Sequence, residues 1–82
     1  MSISKCVKMA LAKAGKRQID LADLYRCSKQ SMSTKFSRES WSGKDLIRVA
    51  KFTGGQLLYE YPDGQKIIID HDDVKDGVEA GD

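Results

Sequence analysis

Two short helical patterns, residues 18–25 and 29–37, stand only three residues apart, and this pairing constrains the fold more than any other feature. The first places Leu21, Ala22 and Tyr25 on one side. The second has just two large apolar residues, Met32 and Phe36, about 40° apart on a helical wheel of about 100° per residue. Two helices joined so tightly must cross near Leu21 and Ala22. Ala22 is small enough to let the second helix approach, and Met32 supplies the apolar contact that holds the crossing. Ser28 is a good amino-terminal cap and aims the start of the second helix outward. Opposite Met32 and Phe36 lie Gln30, Ser33, Thr34 and Ser37. A helix selected for stability alone would carry Ala, Glu or Lys there. A face of small hydrogen-bonding groups points instead to recognition.

The flanking segments complete one small domain. Residues 4–14 place Val7, Ala10, Leu11 and Ala14 at helical spacing, with Lys5, Lys8 and Lys13 off that stripe and Gly15 as a left-handed stop. Trp41 lies in the connection after the third helix and is expected to plug the core. Ser42 and Asp45 form a capping-box-like start to a fourth helix, with Leu46, Val49 and Ala50 as its inner stripe and Phe52 extending it to Gly54-Gly55. After the glycines the period changes to two. Leu57, Tyr59 and Tyr61 alternate, Tyr61-Pro62-Asp63-Gly64 suits a type I turn with Gly64 left-handed, and Ile67-Ile68-Ile69 returns. The expected fold is mainly α: a compact four-helix domain over 1–54, followed by a β-hairpin over 55–70. Residues 71–82 are acidic and poor in large apolar groups, and read as a solvated, disordered tail.

Charge is segregated along the chain. Residues 1–52 hold 12 Lys and Arg against 4 Asp and Glu, a net of +8, whereas residues 53–82 hold 2 against 8, a net of −6. A basic first two-thirds suits a polyanion binder, because counterions released from phosphate drive association. The acidic tail, with Asp72, Asp73, Asp76, Glu79 and Asp82 against Lys75, is expected to repel phosphate or compete with it for the basic face.

Other function classes find little support. The apolar fraction is 40% and the mean hydropathy −0.48, and no apolar run approaches the roughly 20 residues of a membrane helix. Residues 1–5 lack the apolar block of a secretory signal, so no membrane partner and a cytoplasmic location are expected. Cys6 and Cys27 form no ligand pattern and are expected as small buried hydrophobes. The only histidine, His71, lies in the acidic tail, which leaves no base for a serine or cysteine nucleophile. No metal or cofactor is expected, and no enzymatic activity.

Leu21-Ala22, Ser28-Lys29-Gln30, Asp45-Leu46, Val49-Ala50 and Gly54 together resemble the Cro and lambda-repressor-like helix-turn-helix family of bacteria, phages and mobile elements, over residues 3–54. Two positions depart from that family: Arg26 stands where its tight turn usually has Gly, and Arg17 where Thr or Ser usually precedes the Gln. The resemblance implies a transcriptional regulator, a repressor in particular, that binds double-stranded DNA. It also implies base contacts from Lys29, Gln30, Ser33 and Thr34 at the start and exposed face of the third helix, and phosphate contacts from Arg17, Gln18, Ser37, Arg38 and Lys44. The alternative is a protein-interaction module on the same fold, antitoxin-like or a phage-encoded inhibitor, gripping a protein partner through the hairpin or acidic tail.

The hairpin points to a homodimer. An isolated two-stranded hairpin is marginal in water, so it must pack on something. The helical domain is expected to cover Leu57, Tyr59 and Tyr61, which leaves Leu58 and Ile68 facing away with Glu60 and Lys66. Ile67-Ile68-Ile69 is apolar on both faces, a poor composition for a free edge strand. Pairing with a symmetry mate through Leu58, Ile67, Ile68 and Ile69 would cover both faces.

Overall fold

The computed structural model describes residues 2–70. The expectation of an acidic tail over 71–82, with His71 in it, lies outside the described residues. The elements are α1 (Ile3–Lys13), α2 (Gln18–Leu24), α3 (Lys29–Arg38), α4 (Gly43–Phe52), β1 (Leu57–Glu60) and β2 (Lys66–Ile69). The architecture is therefore four helices followed by an antiparallel hairpin.

Three of the four helices begin behind a serine cap. Ser2, Ser28 and Ser42 accept hydrogen bonds from the backbone N–H groups of Lys5, Ser31 and Asp45. α2 lacks a side-chain cap at Arg17, as the missing Ser or Thr implied. The Asp20 carboxylate partly compensates by accepting from the Arg17 backbone N–H at 2.7 Å. That hydrogen bond, more than any other influence, holds the Asp20 pKa below its ordinary value.

Val7 and Leu11 of α1, Leu21 and Ala22 of α2, Met32 and Phe36 of α3 and Val49 of α4 form one buried cluster. Leu21 and Met32 are fully buried at the crossing of α2 and α3, as the small Ala22 permits. Trp41 packs edge-on against Phe36 with ring centroids 5.0 Å apart, and its indole N–H donates to Ser4 Oγ at 2.9 Å. Ser4 Oγ in turn donates to the Phe36 carbonyl at 2.6 Å, and the Ser4 backbone N–H donates to Glu39 Oε1 at 3.0 Å. The start of α1 is thereby tied to the end of α3.

Three expectations about burial need correction. Ile47, left out of the α4 stripe, is buried, whereas Leu46 and Ala50 are half-buried. Ile47 lies in the cleft between α4 and the hairpin with Leu57, Ile68 and Ile69, a neighbourhood that helical spacing cannot disclose. Cys6 is exposed, because α1 turns Ser4, Val7 and Leu11 inward instead, whereas Cys27 is half-buried against the core as expected; neither is in a disulfide. The helical domain does not cover the aromatic face of the hairpin. Leu57, Leu58 and Ile69 at its base are half-buried, but Tyr59 and Tyr61 remain 60% and 42% exposed.

The register pairs Leu57 with Ile69, Leu58 with Ile68, Tyr59 with Ile67 and Glu60 with Lys66. One face thus carries Leu57, Tyr59, Ile67 and Ile69, and the other Leu58, Ile68, Glu60 and Lys66, as alternation predicts. Gly64 donates its N–H to the Tyr61 carbonyl at 2.9 Å and sits at φ +90°, so the turn is type I with a left-handed glycine after it.

Arg26 adopts φ 54°, the left-handed conformation expected where related turns carry Gly. Arg26 N–H bonds to the Asp23 carbonyl and Cys27 N–H to the Ala22 carbonyl, both at 3.1 Å, closing a Schellman motif at the end of α2. For a residue with a β-carbon this conformation costs about 1–2 kcal/mol, of which glycine's extra unfolded-state entropy would return about half. Arg26→Gly is therefore expected to stabilise the domain by about 0.5–1 kcal/mol, a rise in melting temperature of roughly 2–8 °C. Thermal unfolding that is unchanged or earlier would show that the Arg26 side chain outweighs its backbone strain.

Candidate nucleic-acid interface

α3 is amphipathic in an unusual way: Met32 and Phe36 are buried, while Lys29, Gln30, Ser33, Thr34 and Ser37 are exposed. Its hydroxyls are already partly engaged. Thr34 Oγ1 donates to the Gln30 carbonyl at 3.1 Å and Ser37 Oγ to the Thr34 carbonyl at 3.2 Å. Each keeps lone pairs as acceptors, and Thr34 keeps its methyl group. Among the described residues, the Lys29 and Gln30 side chains make no hydrogen bond or ion pair.

The structure brings two of the expected contact residues together. Gln18 Nε2, at the first position of α2, donates to Ser33 Oγ at 3.2 Å. The other basic candidates surround α3 at its flanks. Arg17 precedes α2 and is an exposed partner of Asp20 at 3.6 Å, Arg38 closes α3, and Lys44 lies in the first turn of α4, all three exposed.

Not every basic residue of the first 52 faces outward. Arg48 is 2% exposed, with Nη1 3.6 Å from Asp45 Oδ1 and its guanidinium 5.4 Å from the centre of the Tyr25 ring. Lys35 Nζ donates to Asp45 Oδ2 at 3.0 Å and to the Ser40 carbonyl at 2.7 Å. The Tyr25 hydroxyl donates to Asp45 Oδ1, and Ser42 N–H donates to Oδ2 at 2.8 Å. Burial alone would raise the Asp45 pKa, but the Ser42 N–H, the Tyr25 hydroxyl and the Lys35 ammonium hold it below the ordinary aspartate range. Burial, with Asp45 alongside, pushes the Tyr25 hydroxyl well up, so the phenol remains a donor. This polar centre was not anticipated from the sequence. Its one legible element was the Ser42–Asp45 cap, which gave no hint that Asp45 would also gather Tyr25, Lys35 and Arg48.

The arrangement is that of a helix-turn-helix unit: a buried crossing at Leu21, Ala22 and Met32, a capped outward start at Ser28, and a polar outer face on α3. The bacteriophage CI repressor helix-turn-helix domain matches residues 6–59, two-thirds of the chain. The chain belongs to that family. This CI repressor-type domain is a DNA-binding regulator domain of the repressor kind, in a family of regulators rather than enzymes, and its partner is double-stranded DNA. The match runs from α1 into β1 and therefore includes both the Arg26 turn and the polar centre around Asp45. No curated protein and no solved structure matches the CI repressor-type chain. No helix of the described residues is long and apolar enough to cross a membrane.

Proposed function

We propose that this domain is a sequence-specific repressor that reads the major groove of an operator with α3, as a homodimer joined through the hairpin. The observation that carries the reading is the two-sidedness of α3. Met32 and Phe36 anchor one side, while Lys29, Gln30, Ser33 and Thr34 are exposed at its capped, outward start and along its face. Gln30 has the bidentate geometry for adenine N6 and N7, Lys29 reaches guanine O6 and N7, and the Thr34 methyl suits thymine. Arg17, Gln18, Ser37, Arg38 and Lys44 set the register by touching phosphates on either side. Repression follows from occupying the operator and excluding polymerase.

The test is a selection of bound sites from random duplex, followed by titrations of the selected site over a range of salt. A phosphate contact contributes to all sequences alike. Arg38→Ala or Lys44→Ala is expected to weaken binding to specific and scrambled duplex equally and to lower the salt slope by about one. No enrichment in the selection, or no salt dependence, would reject the reading.

The exposed Tyr59, Tyr61 and Ile67 favour a second reading, a module that grips a protein through the hairpin. Stoichiometric capture of a protein by a variant lacking the polar face of α3 would support it.

A further inference from the structure

The apolar anchors of α3 lie along a single line. With Met32 at zero on a wheel of about 100° per residue, Phe36 falls at about 40°, so the two apolar anchors nearly align along the helix axis. Such a helix can roll about its own axis at little loss of apolar contact. Besides the bonds from Ser4 to the Phe36 carbonyl and to Glu39 at the far end of the helix, two polar side-chain attachments flank that line. Lys35 lies at about −60° and Ser33 at about +100° on the same wheel. Ser33 is tied by Gln18, an exposed side chain–side chain bond of 3.2 Å. Lys35 is far more firmly held. Its side chain is 21% exposed, its ammonium donates to Asp45 of α4 and to the Ser40 carbonyl, and it lies 5.5 Å from the centre of the Tyr25 ring and 5.1 Å from that of Trp41. These partners come from the end of α2, the α3–α4 connection and α4 itself.

We infer that Lys35 is a positioning residue that fixes the roll of α3, and thereby the specificity of DNA recognition, without touching DNA. The inference rests on the proposal that α3 reads base edges. A roll of about 15° at a side-chain radius of about 6 Å moves the tips of Gln30 and Thr34 by roughly 1.5 Å. That displacement exceeds the tolerance of a hydrogen bond. Phosphate contacts from flexible lysine and arginine side chains at the flanks absorb it. Losing Lys35 should consequently erode discrimination and leave general affinity for duplex in place. Charge counting would assign this lysine the opposite role.

The two roles separate in one experiment on the full chain. Affinities of wild type, Lys35→Met, Lys35→Arg, Asp45→Asn and the Lys35→Met/Asp45→Asn double variant are measured on the selected site and on scrambled duplex over a range of salt. Trp41 fluorescence and circular dichroism report folding, and variants are compared at a temperature where each is folded. Lys35→Met is expected to lower the ratio of specific to scrambled affinity about tenfold, the equivalent of one base contact, with the salt slope unchanged. Lys35→Arg, which can still bond Asp45 and lie over the rings, should recover most of the ratio. Asp45→Asn removes the same tie together with the counterion of the buried Arg48, so it should lower the ratio at least as far as Lys35→Met. The double variant should fall no further than Asp45→Asn, because the Lys35–Asp45 tie is already lost there. A salt slope lower by about one, with equal weakening on both duplexes, would make Lys35 a phosphate contact and overturn the inference. So would an unchanged ratio in Lys35→Met, or losses that add in the double variant. A wild type that fails to distinguish the selected site would reject the reading of α3 itself, and the inference with it.

Discussion

Gln30→Ala combined with Thr34→Ala is expected to make the binding curves for cognate and scrambled duplex converge. Both side chains are exposed on the side of α3 opposite Met32 and Phe36, so the substitutions remove no core contact. Alanine is also a better helix former than threonine, and thermal stability should hold or rise slightly. Each good base contact contributes about 1–3 kcal/mol of discrimination, so losing two removes roughly 2–6 kcal/mol, most of what separates one site from its competitors. Affinity for scrambled duplex should change little, because the residues proposed to touch phosphate are unchanged. Competition binding against scrambled duplex measures this directly. A double variant that still prefers its site would mean that another surface reads the bases.

Ile68→Lys is expected to convert the proposed dimer into a monomer. Ile68 is 55% exposed in the single chain, on the hairpin face it shares with Leu58, Glu60 and Lys66, so a lysine there should be tolerated by the isolated fold. Placed in the strand that would pair with its mate, the same lysine blocks edge-to-edge association. A two-fold axis through paired β2 strands would set two α3 helices about one DNA turn, roughly 34 Å, apart and call for a pseudo-palindromic operator. Losing that linkage removes the gain from binding two half-sites at once, about a hundredfold or more. Binding to a full site should therefore fall far more than binding to a half-site. Sedimentation that finds the wild type monomeric at tens of micromolar without DNA would reject a preformed dimer.

The hairpin shows how far period and turn chemistry reach. Alternation and the Tyr61-Pro62-Asp63-Gly64 pattern predict the turn and the residues that share each face, and the structure has both. They do not predict that the helices would leave Tyr59 and Tyr61 uncovered. Facing is a property of the strand itself, whereas covering depends on where α4 ends and how little of the hairpin it reaches. The α3 surface divides in the same way. Its polar face and its two anchors are visible at helical spacing, and Ser28 marks where it starts. The left-handed Arg26 was legible only through the resemblance, because the family's tight turn usually has Gly at that position.

By itself, then, the amino-acid order determined features that depend on residues within about a turn of one another: the capped starts of α3 at Ser28 and α4 at Ser42, the turn at Gly64 and the faces of the strands beside it, and the two-sided α3 of a CI repressor-type domain. Only the tertiary structure decided which charges face outward. Lys35 and Arg48 look like the other basic residues in sequence, yet both end at Asp45, beside Tyr25. Ile47 is buried at a cleft it lines with Leu57, Ile68 and Ile69 of the hairpin, and Cys6 is exposed because α1 buries Ser4 beneath Trp41 and Phe36 instead. Local spacing fixes which side of an element a residue occupies. What that side meets is set by elements distant in the chain, through contacts whose energies depend on burial and geometry that no single segment contains.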